Sequence, residues 1–140
     1  MNTIVFDVDG TICPIKKDNE DYSDLIPNAD MINKIRELKQ DGYRIVFFTA
    51  RNMRTYNGDI DKILKYTKPV LEAWLQKWEI PYDELIFGKP YPGKEGFYVD
   101  DKTLRPNELL SMNKDDISLF LKGGDKNEIW FTYTYNLFRW

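Results

Sequence analysis

A chain of 140 residues with 42% hydrophobic and 31% charged side chains has the size and make-up of one soluble globular domain, which excludes a disordered or membrane-spanning protein. Twenty basic against twenty-three acidic residues give a net charge of -3, so no nucleic-acid partner is expected and an anionic ligand has to be gripped locally. The single Cys13 excludes an internal disulfide and any multi-cysteine zinc site, and the absence of histidine removes Ser-His catalysis, phosphohistidine and His-ligated metals. Apolar runs are short and no secretory signal opens the sequence, so a cytoplasmic protein with no membrane partner is expected.

The first element is Ile4-Val5-Phe6, a continuous apolar run that reads as a strand buried on both faces. It leads into Asp7-Val8-Asp9-Gly10-Thr11. Two carboxylates at a strand end need a cation nearby, because an unpaired buried charge costs several kcal/mol, roughly. Gly10 allows a sharp turn with its N–H free to face an anion. Cys13, close behind, reads as packing. Residues 12–26 are polar and mixed in charge and read as an exposed loop or small flap.

Pro27-Asn28 starts a helix with Asn28 as its N-cap, Ile32, Ile35 and Leu38 on its buried stripe, and Gly42 as the C-terminal stop. Arg44–Thr49 is a second buried strand. A strand, a helix and a second strand form a parallel crossover, which puts Thr49 on the same sheet edge as Asp7 and Asp9. A polar loop over 52–58 follows. Asp59 or Thr67 then caps helical turns reaching about Trp78, with Leu71, Trp74, Leu75 and Trp78 as a core stripe. Pro69 fits the first turn of a helix capped by Thr67. Glu84–Phe87 is a third strand, running into Gly88-Lys89-Pro90, and Gly96–Val99 is a fourth, running into Asp100 and Asp101. The connection between them, at Tyr91–Lys94, is too short for a full helical crossover. Pro106–Met112 and Asp115–Leu121 form short helices. Residues 127–140 make an aromatic C-terminal arm, with six aromatics in the last twelve residues; it either folds back on its own domain or forms a subunit interface.

In open α/β sheets, ligands bind beyond the carboxyl ends of the strands. Asp7 with Asp9, Thr49, Lys89, and Asp100 with Asp101 all lie at such ends. Each alone is a weak signal, and the joint pattern is a strong one. In FDVDGT at 6–11, FFT at 47–49, GKP at 88–90 and YVDD at 98–101, the chain resembles the haloacid dehalogenase-like superfamily of phosphohydrolases. Its TAR segment and PYDELIFGKPYPGKEGFYVDD stretch look like the bacterial capsular-polysaccharide biosynthesis phosphatases. The resemblance implies an α/β fold with a three-layer, doubly wound, Rossmann-like and mostly parallel sheet, in a single domain over 1–140 with no cap domain.

It also implies a chemistry that suits these residue types. Asp7 is the expected nucleophile, forming an aspartyl-phosphate, and Asp9 the acid and base that serves the leaving alcohol and then the attacking water. Because a carboxylate and a phosphate repel, Mg²⁺ is the expected cofactor. Its expected ligands are the Asp7 carboxylate, the Asp9 backbone carbonyl and Asp100, with Asp101 ligating directly or holding a metal-bound water. Thr49 is expected to donate to a phosphoryl oxygen and Lys89 to offset developing charge. Gly10 is a further substrate contact, and Arg51 meets either substrate or a neighbouring acid. A calcium-loop reading of Asp-x-Asp fails, because the third acidic ligand and the glutamate at position twelve are missing.

Without room for a cap, the site is open, so either the substrate is large or a second subunit closes the site. A homo-oligomer is expected on that ground. The expected activity is Mg²⁺-dependent hydrolysis of a small-molecule phosphate ester, a phosphorylated sugar or sugar-linked intermediate of capsular polysaccharide biosynthesis. The alternatives are a nucleotide or nucleic-acid-end phosphatase and a non-catalytic binding domain that kept the fold.

Overall fold

The computed structural model describes residues 2–123, which fall into two compact units, one up to Asp101 and one from Lys102 onward. The C-terminal arm lies outside the described residues. In the first unit, β1 (Thr3–Phe6), β2 (Arg44–Thr49) and β3 (Glu84–Phe87) form a parallel sheet in the order β1-β2-β3. The register pairs Phe6 with Phe47 and Thr49 with Phe87, so the strands end side by side on one edge. The fold is therefore α/β, built on a small parallel sheet.

Helix α1 (Ala29–Gln40) starts where expected, with Asn28 Oδ1 accepting the Met31 N–H at 3.1 Å. Met31, Ile32, Ile35 and Leu38 are buried. The helix closes with Asp41 as its C-cap and then Gly42, whose φ of 93° is a left-handed conformation that suits glycine. Between β2 and β3 a turn-rich loop leads into a continuous helical run: α2 (Ile60–Lys62), a π-turn over Ile63–Thr67, and α3 (Lys68–Lys77). Asp59 caps α2, with Oδ1 accepting from the Lys62 N–H at 3.2 Å.

Thr67 does not cap α3 as expected; its hydroxyl donates to Asn52 Oδ1 at 2.7 Å. Pro69 has no N–H to offer, and the helix passes it by widening, with the Lys68 N–H reaching back to the Ile63 carbonyl. Leu71, Trp74 and Leu75 are buried, as the stripe required, but its fourth expected member, Trp78, is only partly buried and caps the helix at its C-terminal end.

Two expectations about the sheet change. Strand β1 is not buried on both faces: Phe6 is 4% exposed but Val5 is 58% exposed. Alternation puts Val5 on one face with Val46, and Phe6 on the other with Phe47. Successive strands lie in sequence order, so right-handed crossovers carry both α1 and α3 over the same face. Gly96–Val99 does not form a strand in this structure, and Phe97 and Val99 are largely solvent-exposed. The link from Phe87 to Gly96 is shorter than the dozen or so residues a parallel crossover requires.

The stretch over 12–26 is also less exposed than its charge implies. Ile12, Cys13 and Leu25 are fully buried. Trp74 Nε1–H donates to the Leu25 carbonyl at 2.7 Å, and the Asn28 N–H donates to the Ile12 carbonyl at 2.9 Å. Apolar residues at its two ends thus anchor a polar middle. In the second unit, α4 (Pro106–Leu110) and α5 (Lys114–Leu121) are short helices, the latter closed by a reciprocal capping box between Asn113 and Asp116.

Candidate active site

The turn after β1 is closed by its own backbone. The Thr11 and Ile12 N–H groups donate to the Val8 carbonyl, at 3.1 and 3.0 Å, and the Gly10 N–H donates to the Cys13 carbonyl at 2.8 Å. Gly10 has φ +85°, so glycine supplies the turn as expected. Its N–H, however, is spent inside the turn instead of facing an anion. This tight loop holds Asp7 and Asp9 at the strand end, both partly buried.

Each acid meets a different cation. Lys89 Nζ lies 3.5 Å from Asp7 Oδ1, the two side chains being 18% and 37% exposed. Lys89 is delivered by the exit of β3, where its own N–H donates to the Thr49 carbonyl at 3.1 Å. Gly88 precedes it with φ +88°, a left-handed conformation that calls for glycine. On its other side Lys89 Nζ lies 4.4 Å from the centre of the Tyr98 ring, and the Tyr98 hydroxyl donates to the Pro90 carbonyl. Burial raises the Asp7 pKa above the ordinary carboxylate value, and the Lys89 charge opposes that rise. Burial also pushes Tyr98 up, helped by the nearby Asp7 charge, so its phenol stays protonated.

Asp9 is held by Arg51 through a two-pronged ion pair. Nε donates to Oδ2 at 3.1 Å and Nη2 to Oδ1 at 2.8 Å, with the Arg51 side chain only 1% exposed. The guanidinium carbon stacks 4.1 Å from the centre of the Tyr22 ring. Cys13 lies 3.6 Å from Asp9 Oδ1 as a weak thiol donor. Its pKa is pushed up to about 12 by burial first and the Asp9 charge second, so the neutral thiol is the form present. Of the two readings left open for Arg51, the structure realises the neighbouring acid.

Thr49 is fully buried, and its Oγ1 accepts the Arg51 N–H at 3.1 Å. In this arrangement it fixes the turn that carries Arg51. Asp100 and Asp101 are exposed and follow the irregular stretch after Tyr98. Among the described residues, no three acidic, cysteine or histidine side chains are grouped closely enough to hold a metal ion. The structure therefore brings together Asp7, Asp9, Thr49, Lys89, Gly10 and Arg51, and does not gather Asp100 or Asp101 with them into a metal set. Hard oxygen donors suit Mg²⁺ chemically, but the arrangement does not complete its ligands. Two residues the sequence did not single out are Tyr22 and Tyr98. Tyr98 adjoins the YVDD acids and could have been noticed there; nothing local marks Tyr22, which becomes visible only when the flap folds over Arg51.

No protein-family profile matches the chain, and no curated protein matches it either. Among solved structures it is similar to a structural-genomics target from Vibrio cholerae, with 44% identity and a TM-score of 0.80, over 88% of this chain and 99% of that one. Two structures of a Pnkp1/Rnl/Hen1 complex, described in one case as an RNA repair complex, align at 19% and 18% identity with TM-scores of 0.46 and 0.45. They cover 67% and 86% of this chain and 30% and 31% of theirs. Among the described residues no helix is long and apolar enough to cross a membrane.

Proposed function

The chain belongs to the same family as the Vibrio cholerae protein, and we propose that it is a phosphomonoester hydrolase of the haloacid dehalogenase-like superfamily, working through an aspartyl-phosphate. The observation that carries this reading is the placement of Asp7. It is a partly exposed carboxylate at a strand exit, 3.5 Å from the Lys89 ammonium, with a second carboxylate two residues on held rigidly by Arg51. A carboxylate attacking phosphorus needs an adjacent cation to limit repulsion and a second acid to serve the leaving oxygen; the acid is on the same turn, and the cation arrives from the exit of β3.

In the proposed reaction an Asp7 oxygen attacks phosphorus, the P–O bond to the alcohol breaks, and Asp9, entering the step protonated, gives its proton to the departing oxygen and is left as the carboxylate that Arg51 pairs with. Asp9 then takes a proton from water, whose oxygen attacks the phosphorus of the acyl phosphate, releasing inorganic phosphate and restoring Asp7. Lys89 balances charge on the nucleophile and the transferring group. Mg²⁺ remains part of the proposal as the supplier of further positive charge, with Asp100 or Asp101 as its third protein ligand; since the present arrangement does not assemble that set, no step is drawn through it.

The proposed substrate is a phosphorylated sugar or sugar-linked intermediate of capsular polysaccharide biosynthesis, in the cytoplasm, and the proposed assembly a homo-oligomer whose neighbouring subunit covers the open site. The test is phosphate release from a panel of phosphate esters by wild type and Asp7→Asn, in Mg²⁺ and in EDTA. The reading expects release by wild type in Mg²⁺, loss in EDTA and loss in the variant. Absence of release from every ester would sink it. Activity confined to nucleotides would select the nucleotide-phosphatase alternative.

A further inference from the structure

We infer that Arg51 and Tyr22 together form a positioning clamp that fixes the plane of the Asp9 carboxylate, and that residues 12–26 therefore govern how well the protein handles poor leaving groups. The inference rests on the phosphatase reading above. The terminal torsion of an aspartate is broad and two-fold, so an unheld carboxylate samples many planes. The Arg51 fork removes that freedom through its contacts to both Asp9 oxygens, at 3.1 and 2.8 Å, a planar match that lysine cannot make.

Arg51 is not placed to hold substrate. Its side chain is 1% exposed, two of its nitrogens are committed to Asp9, and its third, Nη1, is buried without a partner. What sets its own plane is the Tyr22 ring, 4.1 Å away. Tyr22 belongs to a single helical turn, Tyr22–Asp24, followed at once by Leu25. Leu25 is 2% exposed, and its carbonyl is tied to Trp74 Nε1 at 2.7 Å. A line of contacts thus runs from the α3 tryptophan through the flap to the carboxylate that would exchange a proton with the leaving oxygen. Oδ1 also meets the Cys13 thiol at 3.6 Å, whereas Oδ2, held by Nε alone, keeps a second lone-pair direction for that exchange.

A clamp on a general acid has a signature that general loosening of the fold does not. It matters for alkyl phosphates, whose alcohols need a proton as they leave, and little for p-nitrophenyl phosphate, whose phenolate leaves unprotonated. The parameter to compare is kcat/KM, which covers the steps up to alcohol release and not the later hydrolysis of the aspartyl-phosphate. For Arg51→Lys we expect kcat/KM to fall about 100-fold on an alkyl phosphate and less than about tenfold on p-nitrophenyl phosphate. Tyr22→Leu, at a half-buried position that should fold even where the Arg51 variant does not, is expected to shift the same ratio by about fivefold, whereas Tyr22→Phe retains the wild-type ratio because it keeps the ring.

Circular dichroism establishes that each variant is folded before its rates are compared. Equal losses on both esters in Arg51→Lys and in Tyr22→Leu overturn the clamp while leaving the phosphatase reading standing. If Arg51→Lys does not fold, the Tyr22 pair decides alone. Wild-type protein that cleaves neither ester overturns the phosphatase reading and the clamp together.

Discussion

Asp7 and Asp9 lie two residues apart on one turn, and each is paired with a cation that is stacked in turn on a tyrosine. The two sets are built differently. Asp9 is gripped at both oxygens by a buried guanidinium backed by Tyr22. Asp7 meets a single ammonium at 3.5 Å, in a partly exposed setting backed by Tyr98. A bidentate, buried pair specifies orientation; a single, longer, wetter contact supplies charge while leaving an oxygen accessible. That division suits the roles proposed for them, an acid that must be aimed and a nucleophile that must move onto phosphorus.

The largest expected effect follows from removing the attacking atom. Asp7→Asn should lower phosphate release by roughly 10⁴-fold or more, and a variant retaining a tenth of wild-type turnover would break the assignment. The same substitution should raise stability at neutral pH. Because burial raises the Asp7 pKa in the folded state, its ionised form is disfavoured there. Below the unfolded value of 3.8 both states are protonated and the penalty vanishes; it grows as pH rises through the folded pKa. Metal-free Asp7→Asn should therefore melt above wild type at pH 7, with the difference closing towards pH 3, as thermal scans in EDTA would show.

Next in size is Lys89→Met, which removes charge and keeps most of the volume. It should cost about 10²-fold in kcat with little change in the alkyl-to-aryl preference. This contrasts with the Arg51 variant, and a shared signature would erase the distinction between the two sets. Trp74→Phe removes the donor to the Leu25 carbonyl and should cost about 1 kcal/mol of stability in denaturant unfolding, sharpening the view that the flap is braced from α3. The smallest effect is expected for Tyr98→Leu, about threefold in kcat, because the cation–π contact is partly exposed.

How much of this was legible beforehand depends on the range of the interaction. The cap at Asn28, the stripe of α1, the extent of β2 and the shared edge of Asp7, Thr49 and Lys89 all follow from local periodicity and from the parallel crossover. The fourth strand was not legible in the same way. Phe97 and Val99 have strand-like composition, but pairing needs a connection long enough to bring them alongside a neighbour. Nor was the fate of the Gly10 N–H, which the loop closes onto Cys13, or that of Thr67, taken by Asn52. In each case a partner several or many residues away competes for a group whose local role looked settled.

The sequence by itself determined the chemistry on offer: two aspartates at a strand exit, no histidine, and a lysine and a threonine at neighbouring exits. Those facts depend on residue type and on the fixed hand of parallel crossovers. Only the tertiary structure decided which cation serves which acid. Arg51 and Lys89 are both strand-exit cations in the sequence, and their division of labour comes from burial, from the geometry of a fork against a point charge, and from which tyrosine each meets once the chain has closed.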